Sequence, residues 1–527
     1  MAFRNLCTQF VSDESDKSDQ SDMSNQSLAG MPHCLPNIHP MDKRPNVIIF
    51  NPDEWRGDVL GHVGNPAAIT PNLDRLVKSD AVSFRNAFCQ NPVCTPSRCS
   101  FMSGWYPHVR GHRTMYHMMQ PDEPVLLKTL KDEGYFVWWG GKNDLIPGQH
   151  PADAYCDVKY KPPKPPKPRR GAGRDWRGKP GSDTYYSFFV GKLDKGSDDF
   201  YYDGDWANVL GAIDLVKSRP KEPFCIYLPL SYPHPAYAVE DPWFSIIDRG
   251  KLPPRAPTPE GWKGKPSMLK GIYERQHMQS WTEDRWTELR ATYYGMCARL
   301  DHQFGLLMDA LKSAGLYDDT AVFMFSDHGD FAGDYGLVEK NQNTFEDCLS
   351  RVPFIVKPPS WISVKPRVTG ALVELIDFPA TVEELTGIPP KHTHFGRSLV
   401  PILEGETDKH RDAVFCEGGR LHGEVYAMEL ESTSSQEPSG LYWPRVGLQR
   451  SEGPEHTKAV MCRTSDFKYV RRLYEADELY DLHADPMELH NRIDDPSLEK
   501  VKRELRDRLL TFYLETADVV PHKADAR

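Results

Sequence analysis

Residues 46–50 read Asn-Val-Ile-Ile-Phe, an unbroken β-prone apolar run. A strand with one wet face alternates apolar and polar residues, whereas a run without alternation needs cover on both faces, as inside a parallel sheet flanked by helices. The same texture returns at residues 136–139, 223–228 and 321–325. Between these runs the period becomes helical: Val125, Leu126 and Leu130 precede Gly134, and Leu300, Phe304, Leu307 and Leu311 precede Gly315. Both glycines stand where a helix would stop. Buried strands alternating with amphipathic helices predict an α/β fold around a mostly parallel sheet.

Sheets of this kind carry their sites beyond the carboxyl ends of the strands, and each run ends in groups fit for chemistry. Asp53 and Glu54 follow the first, Lys142 and Asp144 the second, His234 the third, and Asp327 and His328 the fourth. An isolated Asp-Glu pair is ordinary loop composition, and a lone histidine after a strand is usually a satisfied loop residue. Cys94 heads the stretch Cys94-Thr95-Pro96-Ser97-Arg98, which places it at an expected helix N-terminus with a guanidinium one turn on. That setting suits a nucleophile that must attack and then hold an anion. A free cysteine standing alone is more often a buried structural thiol.

Cys94-x-Pro96-Ser97-Arg98 resembles the signature of the type I sulfatases, in which this cysteine is oxidised to formylglycine. The resemblance runs from near Arg44 to the C-terminus, through Pro71-Asn72-Leu73-Asp74, Pro233-His234, Gly396-Arg397-Ser398-Leu399 and the 478–482 segment followed by Asp485-Pro486. It implies an alkaline-phosphatase-like sandwich with a central, mostly parallel sheet and a smaller C-terminal α+β domain carrying an antiparallel sheet. It also implies one divalent metal ion on Asp53, Glu54, Asp327 and His328 with the oxygen of modified Cys94. Oxygen ligands with one nitrogen suit Ca²⁺ or Mn²⁺, and Mg²⁺ is compatible. Arg98, Lys142 and Lys340 would neutralise the transferred group, and His234 would act as general acid to the leaving oxygen. The hydrated aldehyde would attack sulfur, and its second hydroxyl would then expel sulfate and restore the aldehyde. The implied partners are a small or oligomeric anionic sulfate ester and a formylglycine-generating maturation enzyme.

Three positions depart from the family pattern. Glu54 replaces the more usual Asp or Gln, Tyr335 replaces a histidine, and Asp144 stands two residues after Lys142 where the family often has His. What that histidine contributes is then either absent or supplied elsewhere, with His112 and His117 as the candidates. The Asp327-His328 pair occurs in the phosphonate monoesterase and choline-sulfatase branches, so a phosphonate monoester or phosphodiester hydrolase on the same site is the alternative reading. A catalytically idle, metal-stabilised binding protein is the third.

A chain of 527 residues exceeds the usual single domain. Residues 1–43, rich in Ser and Asp, are expected to be a disordered leader, with Met31 and Met41 as alternative starts to Met1. Residues 44–405 form the expected catalytic α/β domain, with an insertion at 155–205, and residues 406–527 the C-terminal α+β subdomain. Within the insertion, residues 159–179 carry nine Lys or Arg against Asp175 alone. They are either a solvated polyproline-like loop or a cationic rim for an anionic substrate. Residues 185–206 are expected to be an irregular lid, and residues 351–356 resemble the edge strand of the sulfatase family. The net charge of −11 argues against nucleic-acid binding, and no apolar run approaches the ~20 residues that span a bilayer. The N-terminal residues lack a secretory signal, and eleven cysteines without framework spacing fit reduced thiols and a cytoplasmic setting.

Overall fold

Val47, Ile48, Ile49 and Phe50 are fully buried because successive side chains feed two different cores. Val47 and Ile49 join Phe101, Leu127 and Phe378 on one face, while Ile48 and Phe50 join Leu73, Val209 and Leu300 on the other. At roughly 1.5–3 kcal/mol per fully buried large apolar side chain, a one-residue slip of this strand would disrupt both cores together. The structure, a computed structural model, describes residues 43–168, 176–428 and 437–527. Apart from Lys43, the expected leader lies outside the described residues, and so do Arg169, Arg170 and Arg174 of the basic stretch. The described residues fall in one unit, Ile38–Arg527.

In chain order the strands are β1 (Asn46–Asp53), β2 (Val82–Phe88), β3 (Phe136–Trp139), β4 (Val158–Lys159), β5 (Phe189–Leu193), β6 (Phe224–Pro233), β7 (Tyr237–Glu240) and β8 (Thr320–Phe325). They continue as β9 (Arg351–Val352), β10 (Phe354–Lys357), β11 (Arg367–Glu374), β12 (Val414–Gly418), β13 (Ala459–Arg463), β14 (Phe467–Arg472) and β15 (Glu478–Asp481). The large sheet runs β11-β2-β10-β8-β1-β6-β3-β4, with β9 also on β2. β1 is parallel to both β6 and β8, with Ile48 opposite Ile226 and Val322. The 71–79, 204–217 and 283–314 helices cover one face; the 94–103, 126–132 and 377–386 helices cover the other. The small sheet, β12-β13-β14-β15, is antiparallel throughout. Leu505, Leu509 and Phe512 of the Glu499–Thr516 helix close its core, where Phe512 stacks on Phe415 with ring centroids 4.0 Å apart.

The fold departs from four expectations. Residues 351–356 are not an edge strand: Pro353, which lacks an N–H, splits them into β9 and β10, and β10 lies antiparallel between β8 and β2. Residues 185–206 are not wholly irregular, since β5 pairs with β7 and the Asp203 carboxylate caps the Gly204–Lys217 helix through the N–H groups of Asp205 and Trp206. The basic stretch does not begin as a loop: Lys159 ends β4, which pairs with β3. The helix read from Leu300 begins at Glu283, because its first turns are buried through Trp286, Leu289 and Tyr293 rather than through a simple aliphatic stripe.

Candidate active site

The strand ends converge as the α/β arrangement requires. Cys94 is the first residue of the Cys94–Ser103 helix, entered from the extended Val93, whose N–H is bonded by Asn91 Oδ1 at 2.9 Å. The Ser97 hydroxyl donates to Asp327 O at 2.6 Å, so the first turn of this helix is fastened to the end of β8. Asn51, on β1, holds the frame: its Nδ2 donates to Phe325 O at 2.9 Å and its Oδ1 accepts from Arg98 Nη1 at 2.8 Å.

Asp53, Cys94, Asp327 and His328 are buried, and each offers a ligand-capable atom within 4.8 Å of the others. Cys94 Sγ lies 3.4 Å from Asp53 Oδ1 and 3.2 Å from His328 Nε2. His328 Nδ1 donates to Gly329 O at 2.9 Å, which leaves Nε2 as the acceptor facing the cluster. Arg98 Nη2 reaches Asp327 Oδ2 at 2.7 Å and Asp53 Oδ2 at 3.1 Å, and Lys142 Nζ also bonds Asp53 Oδ2. Burial would push the Asp53 carboxyl up, but Lys142, His234, Arg98 and His328 outweigh it and hold it well below the usual range. Burial and the neighbouring Asp53 push the Cys94 thiol well up.

Glu54 stands apart from this cluster. Its backbone is left-handed, with φ 73°, fixed by Tyr293 Oη donating to Glu54 O at 2.7 Å and by Glu54 N–H donating to Asp327 Oδ1 at 3.1 Å. From there its carboxylate meets Lys340 Nζ at 2.7 Å and forms a second, adjoining trio with Asp53 and His234. The expected ligand set is therefore split: four members sit together, and Glu54 shares only Asp53 with them. Burial pushes its carboxyl well up against the pull of Lys340, and Oε1 has no hydrogen-bond partner.

His234 follows β6 with Nδ1 donating to Pro235 O at 2.6 Å and Nε2 3.6 Å from Glu54 Oε2. Burial, and then Lys340, hold it well below the ordinary histidine value. The side chains of Lys142, Asp144 and His234 are 24%, 16% and 12% exposed while the cluster beneath them is sealed, so the site opens on their side. His112 pairs with Glu123 at 3.0 Å and bonds His117 O at 2.7 Å, and His117 Nδ1 meets Thr114 Oγ1 at 2.7 Å. Tyr335, in the place of a histidine, donates to Met487 O at 2.8 Å.

Two functional neighbours escaped the sequence reading. Glu339 accepts from Lys340 Nζ at 2.8 Å, and Arg445 bonds both Glu339 and, at 2.7 Å, Lys340 O. Glu339 was findable as an acid beside the expected lysine. Arg445 lies 105 residues further along the chain than Lys340, in a segment without a motif, and carried no local signal.

A buried Asp/Asp/His set at strand ends, beside a helix-terminal cysteine and converging cations, is compatible with an alkaline-phosphatase-like hydrolase. The family model for Sulfatase matches residues 45–388, more than half of the chain. The chain belongs to the sulfatase family, whose hydrolases generally use a metal ion and formylglycine. It is 24% identical over 475 residues to arylsulfatase K of Xenopus laevis, covering 86% of this chain and 80% of that protein. Its fold matches the phosphonate monoester hydrolase of Agrobacterium radiobacter with a TM-score of 0.71 at 22% identity, over 91% of this chain and 100% of that one. It also matches a protein solved in complex with its substrate D-glucosamine-2-N,6-O-disulfate, with a TM-score of 0.67 at 18% identity over 90% and 98% of the two chains.

Proposed function

We propose that this sulfatase cleaves its ester through a formylglycine made from Cys94, with Asp53, Asp327 and His328 as protein ligands of one divalent cation. The observation that carries the reading is the buried cluster in which those three residues and Cys94 present ligand-capable atoms within 4.8 Å of one another. The donors fit such an ion: two carboxylates supply hard oxygens, His328 presents Nε2, and the unpartnered Oε1 of Glu54 stands alongside. Ca²⁺, Mn²⁺ and Mg²⁺ all accept ligands of this kind, and when bound the ion supplies Lewis acidity toward a sulfuryl oxygen.

The remaining work falls to the chain's own side chains. Arg98 and Lys142 present N–H donors to the oxygens of the transferred group, where negative charge grows during transfer. Lys340, held between Glu54 and Glu339, adds a third positive charge within the field of Cys94 and Asp53. His234 presents Nε2 to the leaving oxygen, since Nδ1 donates to Pro235 O, and it can give a proton there only as the imidazolium, which a bound anion favours. Glu54 balances Lys340 and His234 rather than completing the cluster of four. The proposed partners are an anionic sulfate ester and the maturation enzyme that oxidises Cys94. A cytoplasmic setting belongs to the proposal as well, supported by the nine described cysteines, all free thiols. Among the described residues no helix is long and apolar enough to cross a membrane.

The Asp327-His328 pair favours one second reading, a phosphonate monoester hydrolase on the same residues. Protein co-produced with a formylglycine-generating enzyme should turn over para-nitrophenyl sulfate with a kcat/KM above that for a para-nitrophenyl phosphonate monoester. The reverse order would transfer the primary activity to the second reading.

A further inference from the structure

We infer that Asp144 sets the charge state of the group this site transfers, favouring a monoanionic ester over a dianionic one. The inference rests on the assignment of Arg98 and Lys142 to the transferred group. Asp144 Oδ2 lies 2.9 Å from Lys142 Nζ and 3.9 Å from Arg98 Nε, so it faces both cations expected to hold that group. Its turn is fixed. Gly141 has φ +118° and approaches β6 so closely that a Cβ would sit 2.2 Å from Pro229 O, and Lys142 N–H donates to that same carbonyl at 2.9 Å. Asn143 then closes the turn, its Oδ1 accepting from Ile146 N–H at 3.2 Å and its Nδ2 donating to Ile146 O at 2.9 Å.

The neighbouring acids each have another positive partner. Asp53 and Asp327 would face the divalent cation, Glu54 faces Lys340, and Glu339 is paired with Arg445. Asp144 is answered by Lys142 and Arg98 themselves, with Lys159 the next cation along, its Nζ donating to Gly141 O at 2.8 Å. The negative charge of Asp144 therefore subtracts from the field that those two cations present to a ligand. A sulfate or phosphonate monoester carries one negative charge on the transferred group, whereas a phosphate monoester above its second pKa carries two. One further unit charge a few ångströms away, in a pocket only partly open to water, is expected to weaken the dianion about tenfold relative to a monoanion.

The test compares kcat/KM for para-nitrophenyl sulfate, para-nitrophenyl phenylphosphonate and para-nitrophenyl phosphate, which share one leaving group, at a pH where the phosphate is a dianion. Asp144→Asn, of the same size without the charge, should raise the phosphate-to-sulfate ratio about tenfold and leave the phosphonate-to-sulfate ratio unchanged. Asp144→Glu should keep the parental ratios. A readout without turnover uses protein whose Cys94 is unmodified: phenyl phosphate should raise Tm more in Asp144→Asn than in the parent, and phenyl sulfate should not. Equal losses on all three substrates would mean that Asp144 only positions Lys142, and an unchanged or lowered phosphate ratio would likewise overturn the inference. Should the parent hydrolyse the phosphonate and not the sulfate, the sulfatase assignment fails, yet the phosphate-to-phosphonate ratio still decides the role of Asp144.

Discussion

At position 94 the outcome turns on what a side chain can do after it has accepted a sulfuryl group. Cys94→Ala removes every nucleophile and should abolish turnover. Cys94→Ser keeps an oxygen beside Asp53 and His328 but has no second hydroxyl on the same carbon, so its sulfate ester has no internal route of cleavage. In a host without a serine-modifying enzyme it should give at most one sub-stoichiometric burst, with the sulfated peptide visible by mass. Steady turnover of Cys94→Ser at the parent rate would remove formylglycine from the mechanism. His234 makes a separate claim. If Nε2 protonates the leaving oxygen, His234→Asn should lower kcat by roughly 10²–10⁴ for alkyl sulfates and much less for para-nitrophenyl sulfate, whose leaving group needs little help. Equal losses across leaving groups would reduce His234 to a partner of Glu54. At this scale the sequence showed which residue types end each strand, but not where they point. Glu54 follows Asp53 directly, and only the left-handed backbone at Glu54 turns its carboxylate toward Lys340 instead of the cluster.

The elements were legible where burial leaves a one-dimensional trace. β1, β3, β6 and β8 are apolar without alternation because two cores enclose them, and the hairpin of β13 and β14 stands on either side of Ser465-Asp466. β10 misled because only the resemblance spoke for an edge, while its interior position depends on partners 29 to 35 residues before it, in β8, and over 270 before it, in β2. The Pro71–Ser79 helix shows the same non-local logic. Pro71 opens it, yet Thr70 does not cap it: Asp301 from the long helix accepts from the N–H groups of Asn72 and Leu73, the latter at 2.8 Å. Burial pushes that carboxyl up to about 6 despite these bonds. A carboxyl raised on folding stabilises fully below its unfolded value, and the benefit is lost as pH rises through the folded one. Between pH ~4 and ~6 the parent should therefore lose up to ~3 kcal/mol relative to Asp301→Asn, which cannot ionise. Denaturation of both proteins across that range measures the difference, and parallel pH curves would contradict it. In the basic stretch, Lys167 is paired with Asp198 at 2.8 Å and Lys164 lies over the Tyr202 ring. Neutralising both should thus lower stability and affect a small aryl sulfate and an oligosulfated substrate alike. A KM rise confined to the oligosulfated substrate would restore the reading as a cationic rim.

Across the whole molecule, the C-terminal residues hold the segment that follows Lys340. Gln342 is bonded by His456, Asn343 donates to Glu455 O and Thr457 O, Arg472 donates to Asn343 O, and Lys468 donates to Phe345 O. The segment that delivers Lys340 is therefore set by the small sheet and its loops, with Arg445 as the direct tie. Arg445→Ala should cut kcat/KM about 10–100-fold, yet add little in a Lys340→Met background, since neighbours that act through one group are not additive. Additive losses would give Arg445 a separate role. Metal removal acts at this scale too, because Asp53 and Asp327 are buried acids in one cluster. Chelation should abolish turnover and lower Tm, and a cation restored at ~100 times its Kd should return ~2.7 kcal/mol of stability. An unchanged Tm would argue that no cation resides there. Whether the nucleophile is an oxidised Cys94 is read from the mass of the peptide containing it, taken from a preparation that hydrolyses aryl sulfate. That peptide should carry oxygen in place of sulfur with loss of two hydrogens, in proportion to the active fraction; a fully active preparation in which every copy keeps the thiol would refute formylglycine as the nucleophile.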